Sequence, residues 1–156
     1  MFVFLNLVCI AALVGIDQAI KLCAVQNLMP VESMPLIPHI VELRFVYNEG
    51  MSFSLLSGKQ EFLIAATSIG MLVIAWWLFT HCRNDQLQRW AWVLVLGGGI
   101  GNLIDRIAEG RVVDYINLLF MRFAVFNFAD ICVCVGMGLW ILAIILEERR
   151  NPEGKK

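Results

Sequence analysis

Residues 111–130, RVVDYINLLFMRFAVFNFAD, hold two carboxylates, Asp114 and Asp130, among hydrophobic residues. Long apolar segments flank the stretch on both sides. An acid beside a lipid-like environment is costly unless a partner or a reaction uses it. How these two acids are accommodated decides how the rest of the chain is read.

The chain has 156 residues, 60% hydrophobic and 16% charged, with a mean hydropathy of +0.75. Soluble domains average about 45–50% apolar and about 25% charged residues, so this composition points to a membrane protein. The length suits one unit spanning residues 1–156. A net charge of -1 and a pI near 6.1 argue against a nucleic-acid partner, which needs a basic surface. Of the five cysteines, none forms a C-x-x-C pair, and small apolar packing accounts for them. His39 and His81 stand far apart, which argues against a histidine triad and against a metal site. No cofactor is expected.

A membrane helix needs about 20 mostly apolar residues. Four segments qualify, at about residues 2–25, 62–79, 90–107 and 125–146. The first lacks a basic leader and an A-x-A site and carries Asp17 and Lys21, so it reads as a retained helix rather than a cleaved signal. Arg83, Arg89, Arg149, Arg150, Lys155 and Lys156 fall on one side of the membrane. The other side has Arg44, Lys59, Arg111 and Arg122. This bias predicts cytoplasmic termini. Residues 26–61 and 108–124 then form outer loops, with Asp114 in the second and Asp130 in the first turns of the fourth helix. Pro30, Pro35 and Pro38 exclude a helix from the first outer loop. Within it, VELRFVYN alternates, with Val41, Leu43, Phe45 and Tyr47 on one face, as a strand does. The pattern continues past a turn at Glu49–Gly50. The expected fold is an all-α integral membrane protein, four transmembrane helices carrying a small extracytoplasmic β-sheet and loop region.

Polar residues gather at the outer ends of three helices: Asp17, Gln18 and Lys21; Asn102, Asp105 and Arg106; Asn127 and Asp130. Asn48 joins them from the outer loop. Structural ion pairs, Asp17 with Lys21 and Asp105 or another acid with Arg106, explain part of this. They leave an excess of carboxylate at Asp114 and Asp130, which must find a proton or a shared partner. Two carboxylates sharing a proton is the aspartic-protease arrangement. A proton- or ion-coupled transporter would also collect polar groups, though usually at the midplane and with repeated halves. A non-enzymatic assembly subunit is the third reading.

Five blocks, DQAIK (17–21), YNEGMSFSL (47–55), GNLIDRI (101–107), GRVVDYI (110–116) and FNFADICVCVG (126–136), occur in this order. They resemble the sequence blocks of the bacterial lipoprotein signal peptidases, signal peptidase II. The resemblance implies an aspartic endopeptidase of the bacterial cytoplasmic (inner) membrane, its active site at the outer face. It would act on diacylglyceryl-modified prolipoproteins, cutting just before the lipidated lipobox cysteine. It implies Asp114 and Asp130 as the catalytic pair. It implies Asp17, Lys21, Asn48, Gly50, Asn102, Arg106 and Asn127 as supporting residues. Membrane lipid and cyclic peptide inhibitors such as globomycin are the implied partners. Within that frame, Asn127 would orient Asp130 or the scissile amide. Asn48, Asn102 and Arg106 would donate to the substrate backbone, and Asp17 and Lys21 would brace the outer sheet against the first helix. Met51 and Ser52 before Phe53, and residues 131–134 after Asp130, depart from the family pattern without touching the pair.

Overall fold

In lipid, backbone N–H and C=O groups must bond within their own segment, so long apolar runs become helices. The computed structural model describes residues 2–50, 59–83 and 85–150. Its four long helices are α1 Phe2–Cys23, α2 Gln60–His81, α3 Gln86–Glu109 and α4 Phe128–Arg150. All four are long and apolar enough to cross a membrane. Three short strands, β1 Ser33–Ile37, β2 Val41–Asn48 and β3 Val112–Leu118, form an antiparallel sheet in the order β1-β2-β3. The expected class is therefore observed, with local differences.

The helical path of α1 runs past residue 25 through a wide turn, Ala24–Leu28, and a tight one, Met29–Val31. Pro30 sits in the first positions of that tight turn, where its missing N–H costs little. Helix α3 starts four residues before the expected 90, because the Asp85 carboxylate accepts the Gln88 N–H at 2.9 Å and caps it. It ends at Gly110, whose φ of 70° is the left-handed geometry that glycine adopts without strain. Helix α4 starts at Phe128 rather than 125, since Phe126 is bridged to Ile116 of β3.

Only β2 was legible as a strand. Its predicted face, Leu43, Phe45 and Tyr47, packs on Ala24, Leu28, Val113 and Tyr115. β1 contains Pro35 and is exposed throughout, as an edge strand allows. β3 lies in the expected outer loop; Val112, Val113, Asp114 and Tyr115 are all buried, so no alternation marks it as a strand. A bulge between Leu43 and Val46 adjusts β2 so that Val46 pairs with Asp114. The continuation of the strand pattern past Gly50, and the departures at Met51, Ser52 and Phe53, lie outside the described residues.

Helix α3 is central and packs against α1, α2 and α4. Its glycines face all three neighbouring helices. A Cβ at Gly97 would meet Leu13 of α1, and one at Gly98 the Ala129 carbonyl of α4. A Cβ at Gly99 would meet Met71 of α2, and one at Gly101 the Asp17 carboxylate. Small residues let membrane helices approach this closely. The outside is apolar, with Phe4 72% and Leu72 71% exposed, while Asn6, Asp17 and Asn127 are at 0%. That is the arrangement expected when lipid, not water, is the solvent.

Gly98→Ala should lower the thermal unfolding temperature in detergent, because overpacking against backbone costs roughly 1–3 kcal/mol. Gly15→Ala meets nothing within 4 Å and should leave it unchanged or slightly raised. Equal shifts in the two variants would contradict the close α3–α4 approach.

Candidate active site

The first four N–H groups of a helix have no partner within the helix. At the start of α4 side chains take all four. The Asn127 N–H donates to Asp130 Oδ2 at 3.2 Å, and the Asp130 N–H returns to Asn127 Oδ1 at 3.0 Å. This reciprocal pair is a capping box built from Asn and Asp. The Phe128 N–H donates to Tyr115 Oη at 3.0 Å, and the Ala129 N–H to Asp17 Oδ1 at 3.2 Å. The box fixes the Asp130 side chain, and the positive end of the α4 dipole favours a carboxylate there.

Asp114 reaches the same place from β3. Asn127 Nδ2 donates to its Oδ1 at 2.7 Å, and Asn48 Nδ2 to its Oδ2 at 2.8 Å. One residue, Asn127, therefore touches both acids. Burial pushes the Asp114 carboxyl up to about 7. Hydrogen bonds from Asn48 and Asn127 oppose that rise, and the neighbouring Asp130 charge adds to it.

Behind the pair lies a second layer. Lys21, 3% exposed, places Nζ 2.8 Å from Asp17 Oδ2, 2.8 Å from Asp105 Oδ2 and 2.8 Å from Asn102 Oδ1. Gln18 Nε2 donates to Asp105 Oδ1 at 2.8 Å. Asn102 Nδ2 then donates to Asp130 Oδ1 at 2.8 Å. Arg106 donates from Nη2 to the Gly50 carbonyl at 3.0 Å.

All nine residues singled out in the sequence thus converge, but several contacts differ from expectation. Asp105 pairs with Lys21, not with Arg106. Asp17 and Lys21 tie α1 to α3 and α4 rather than to the sheet. Asn48 and Asn102, expected to donate to a substrate backbone, donate to Asp114 and Asp130. Tyr115 joins them unannounced by the sequence, since a tyrosine in an apolar stretch carries no sign that its hydroxyl will cap a distant helix. Arg111 turns away, its guanidinium 3.5 Å from the centre of the Tyr47 ring.

The two acids open onto a cavity of about 740 Å³ between α2, α3 and α4, lined mainly by apolar groups such as Leu63, Met71, Phe126 and Val133. A second cavity of about 630 Å³, with Asn117 and Arg122 in its wall, lies on the sheet side and shares Asn48 and Asp114 with the first. Among the described residues, no cluster of three or more His, Cys, Asp or Glu is arranged to hold a metal ion.

The family model for signal peptidase (SPase) II matches residues 9–146. This chain belongs to the signal peptidase II family. The lipoprotein signal peptidase of Halalkalibacterium halodurans is 37% identical over 142 residues, covering 90% of this chain and 91% of that protein. That of Symbiobacterium thermophilum is 37% identical over 150 residues, covering 94% and 98%. A solved bacterial membrane enzyme, determined by the in meso method at 2.3 Å resolution, superposes with a TM-score of 0.88 at 28% identity. The match covers all of this chain and 96% of that one. Membership in signal peptidase II, together with four apolar helices, makes this a multi-pass bacterial membrane protein. The transporter and assembly-subunit readings give way to a protease of this family.

The raised Asp114 has a consequence for stability. Between its ordinary value of 3.8 and about 7, the folded protein holds a proton that the unfolded chain has released. Stability should therefore fall as pH rises through that window. Thermal unfolding of wild type in detergent should show this slope, and Asp114→Asn should lose that part of it. An unchanged slope in the variant would place the titration elsewhere.

Proposed function

We propose that this chain is an aspartic endopeptidase that removes signal peptides from prolipoproteins, cutting just before a diacylglyceryl-modified lipobox cysteine. The observation that carries the reading is Asn127 holding two carboxylates, Asp114 at 2.7 Å and Asp130 at 3.2 Å, at one end of an apolar cavity. The family and its relatives, named as lipoprotein signal peptidases, support the substrate class.

The pair carries one proton at neutral pH, in keeping with the raised Asp114. The ionised carboxylate takes a proton from a water placed between the acids. The water oxygen bonds to the scissile carbonyl carbon, and the protonated carboxyl donates to the carbonyl oxygen. Collapse of the tetrahedral intermediate breaks the C–N bond, and the leaving amine takes a proton from the acid that gained one from water. Asn48, Asn102 and Asn127 hold the acids in register for this exchange. Arg106 lines the cavity beside the two acids, which places its guanidinium to meet a substrate carbonyl. The apolar cavity receives the membrane-embedded part of the substrate, and cyclic peptide inhibitors such as globomycin would compete for it.

The sheet end of the bundle faces outward, with both termini in the cytoplasm. Support comes from Arg83, Arg89 and Arg149 at the opposite end, the side that positive residues favour. A lipid-anchored cut site then sits at the depth of the two acids, and one membrane-embedded unit does the whole reaction.

The test uses purified wild type, Asp114→Asn and Asp130→Asn in liposomes, each given one prolipoprotein with and without diacylglyceryl. Cleavage is read on a gel. Wild type should cut the lipid-modified form alone, and each Asn variant should lose at least about 10³-fold in rate. Near wild-type cutting by both folded Asn variants would remove the pair from the mechanism.

A further inference from the structure

The three asparagines around the acids share a feature. Each has its side-chain carbonyl occupied from behind, which decides where its NH2 points. Asn48 Oδ1 accepts the Gly50 N–H at 2.9 Å, and Asn127 Oδ1 accepts the Asp130 N–H at 3.0 Å. Asn102 differs, because its Oδ1 accepts from a buried ammonium, Lys21 Nζ at 2.8 Å, as well as from Asn127 Nδ2 at 3.1 Å. An ammonium has donors and no acceptor, so it can face only the oxygen of that amide. The Asn102 NH2 is thereby directed to Asp130 Oδ1. A cation on the carbonyl side also polarises the amide and strengthens its N–H donation.

We infer that Lys21 is a positioning residue acting through Asn102, and that this link marks Asp130, rather than Asp114, as the carboxylate that serves as general base. The inference rests on the aspartic reading above. Asp114 receives neutral amides from Asn48 and Asn127. Asp130 receives the cation-backed amide of Asn102 and sits in the first turn of α4. Asp17 and Asp105 hold Lys21 from two sides at 2.8 Å each, and Gln18 ties them together. The small side of the arrangement is Gly101, where any Cβ would displace the Asp17 carboxylate. The raised Asp114 is consistent with its being the partner that keeps the proton.

The groups that face this link are Asp17 from α1, Asp105 and Arg106 from α3, Asp114 and Tyr115 from β3, and Asp130 from α4. The experiment is a cycle of Lys21→Gln, Asn102→Ala and the double variant in liposomes, with kcat, KM and the pH profile measured for each. Lys21→Gln should lower kcat on the order of 10- to 100-fold with KM little changed. Its acid limb should move to higher pH, since a charge favouring ionised Asp130 is gone, and the basic limb should rise less, since the Lys21 charge also lowers the Asp114 carboxyl directly. Lys21→Arg should recover part of the loss. In the Asn102→Ala background, Lys21→Gln should cost nothing further, because its route to Asp130 is already cut. Losses that multiply, or movement of the basic limb alone, would overturn the inference. If Lys21→Gln does not fold, Lys21→Met with Asp105→Asn removes the cation together with one of its carboxylates, and the same cycle is read on that pair. The Asp114→Asn and Asp130→Asn variants serve as the reference. If they still cut, the aspartic reading fails whatever Lys21 does; if they are dead and the cycle multiplies, only the Lys21 inference fails.

Discussion

Four backbone N–H groups at the start of α4 must be satisfied without water, and the rest of the site follows from how that is done. Asn127 and Asp130 bond each other's backbone, Tyr115 takes the Phe128 N–H, and Asp17 takes that of Ala129. Each solution imports a residue from a different element. Tyr115 brings β3, and with it Asp114. Asp17 brings α1, and its charge requires Lys21. The bonds that end the helix are the bonds that set the two acids side by side. Burial drives the Tyr115 phenol up to about 12, so it stays a neutral cap at physiological pH.

The interior is expensive. Removing one partner of a buried pair typically costs about 3–5 kcal/mol, because the other charge is left uncompensated. Lys21 avoids this by spending all three N–H donors, on Asp17, Asp105 and Asn102. Glycine makes the geometry possible. Gly101 leaves room for the Asp17 carboxylate, and Gly98 lets the start of α4 rest on α3. Charge and packing are thus one constraint: no side chain can occupy the places where the polar groups meet.

Much of this was readable beforehand. Polar residues in an apolar chain are conspicuous, so Asp17, Lys21, Asn102, Arg106, Asn127 and Asp130 stood out by contrast, and i to i+4 spacing paired Asp17 with Lys21. Strand β2 shows itself by alternation, because Glu42 and the exposed Arg44 interleave with Val41, Leu43 and Phe45. What stayed hidden depends on tertiary context. β3 is buried on both sides and has no period, so Asp114 looked like a loop residue. The partner of Asp105 lies on another helix, and no local spacing could choose Lys21 over the adjacent Arg106. The donors of Asn48 and Asn102 were expected to meet a substrate, because nothing in one sequence says that a nearer acceptor will claim them. Helix ends moved by a few residues wherever a cap, such as Asp85, overrode hydrophobicity.

Helix α2 contributes almost nothing to the polar interior. Among the described residues, its side-chain tie to another element is Gln60 Nε2 to the Glu49 carbonyl, at its very first residue. Otherwise it meets α3 through apolar contacts such as Met71 over Gly99. Yet α2 forms one wall of the larger cavity, through Leu63, Ala66, Thr67 and Met71. Beyond Gln60 that wall is held by apolar packing, with Leu78 fully buried in the core. The hydrogen-bonded elements α1, α3, α4 and β3 are the anvil, and α2 is the apolar jaw that completes the cavity by shape rather than by polar bonds.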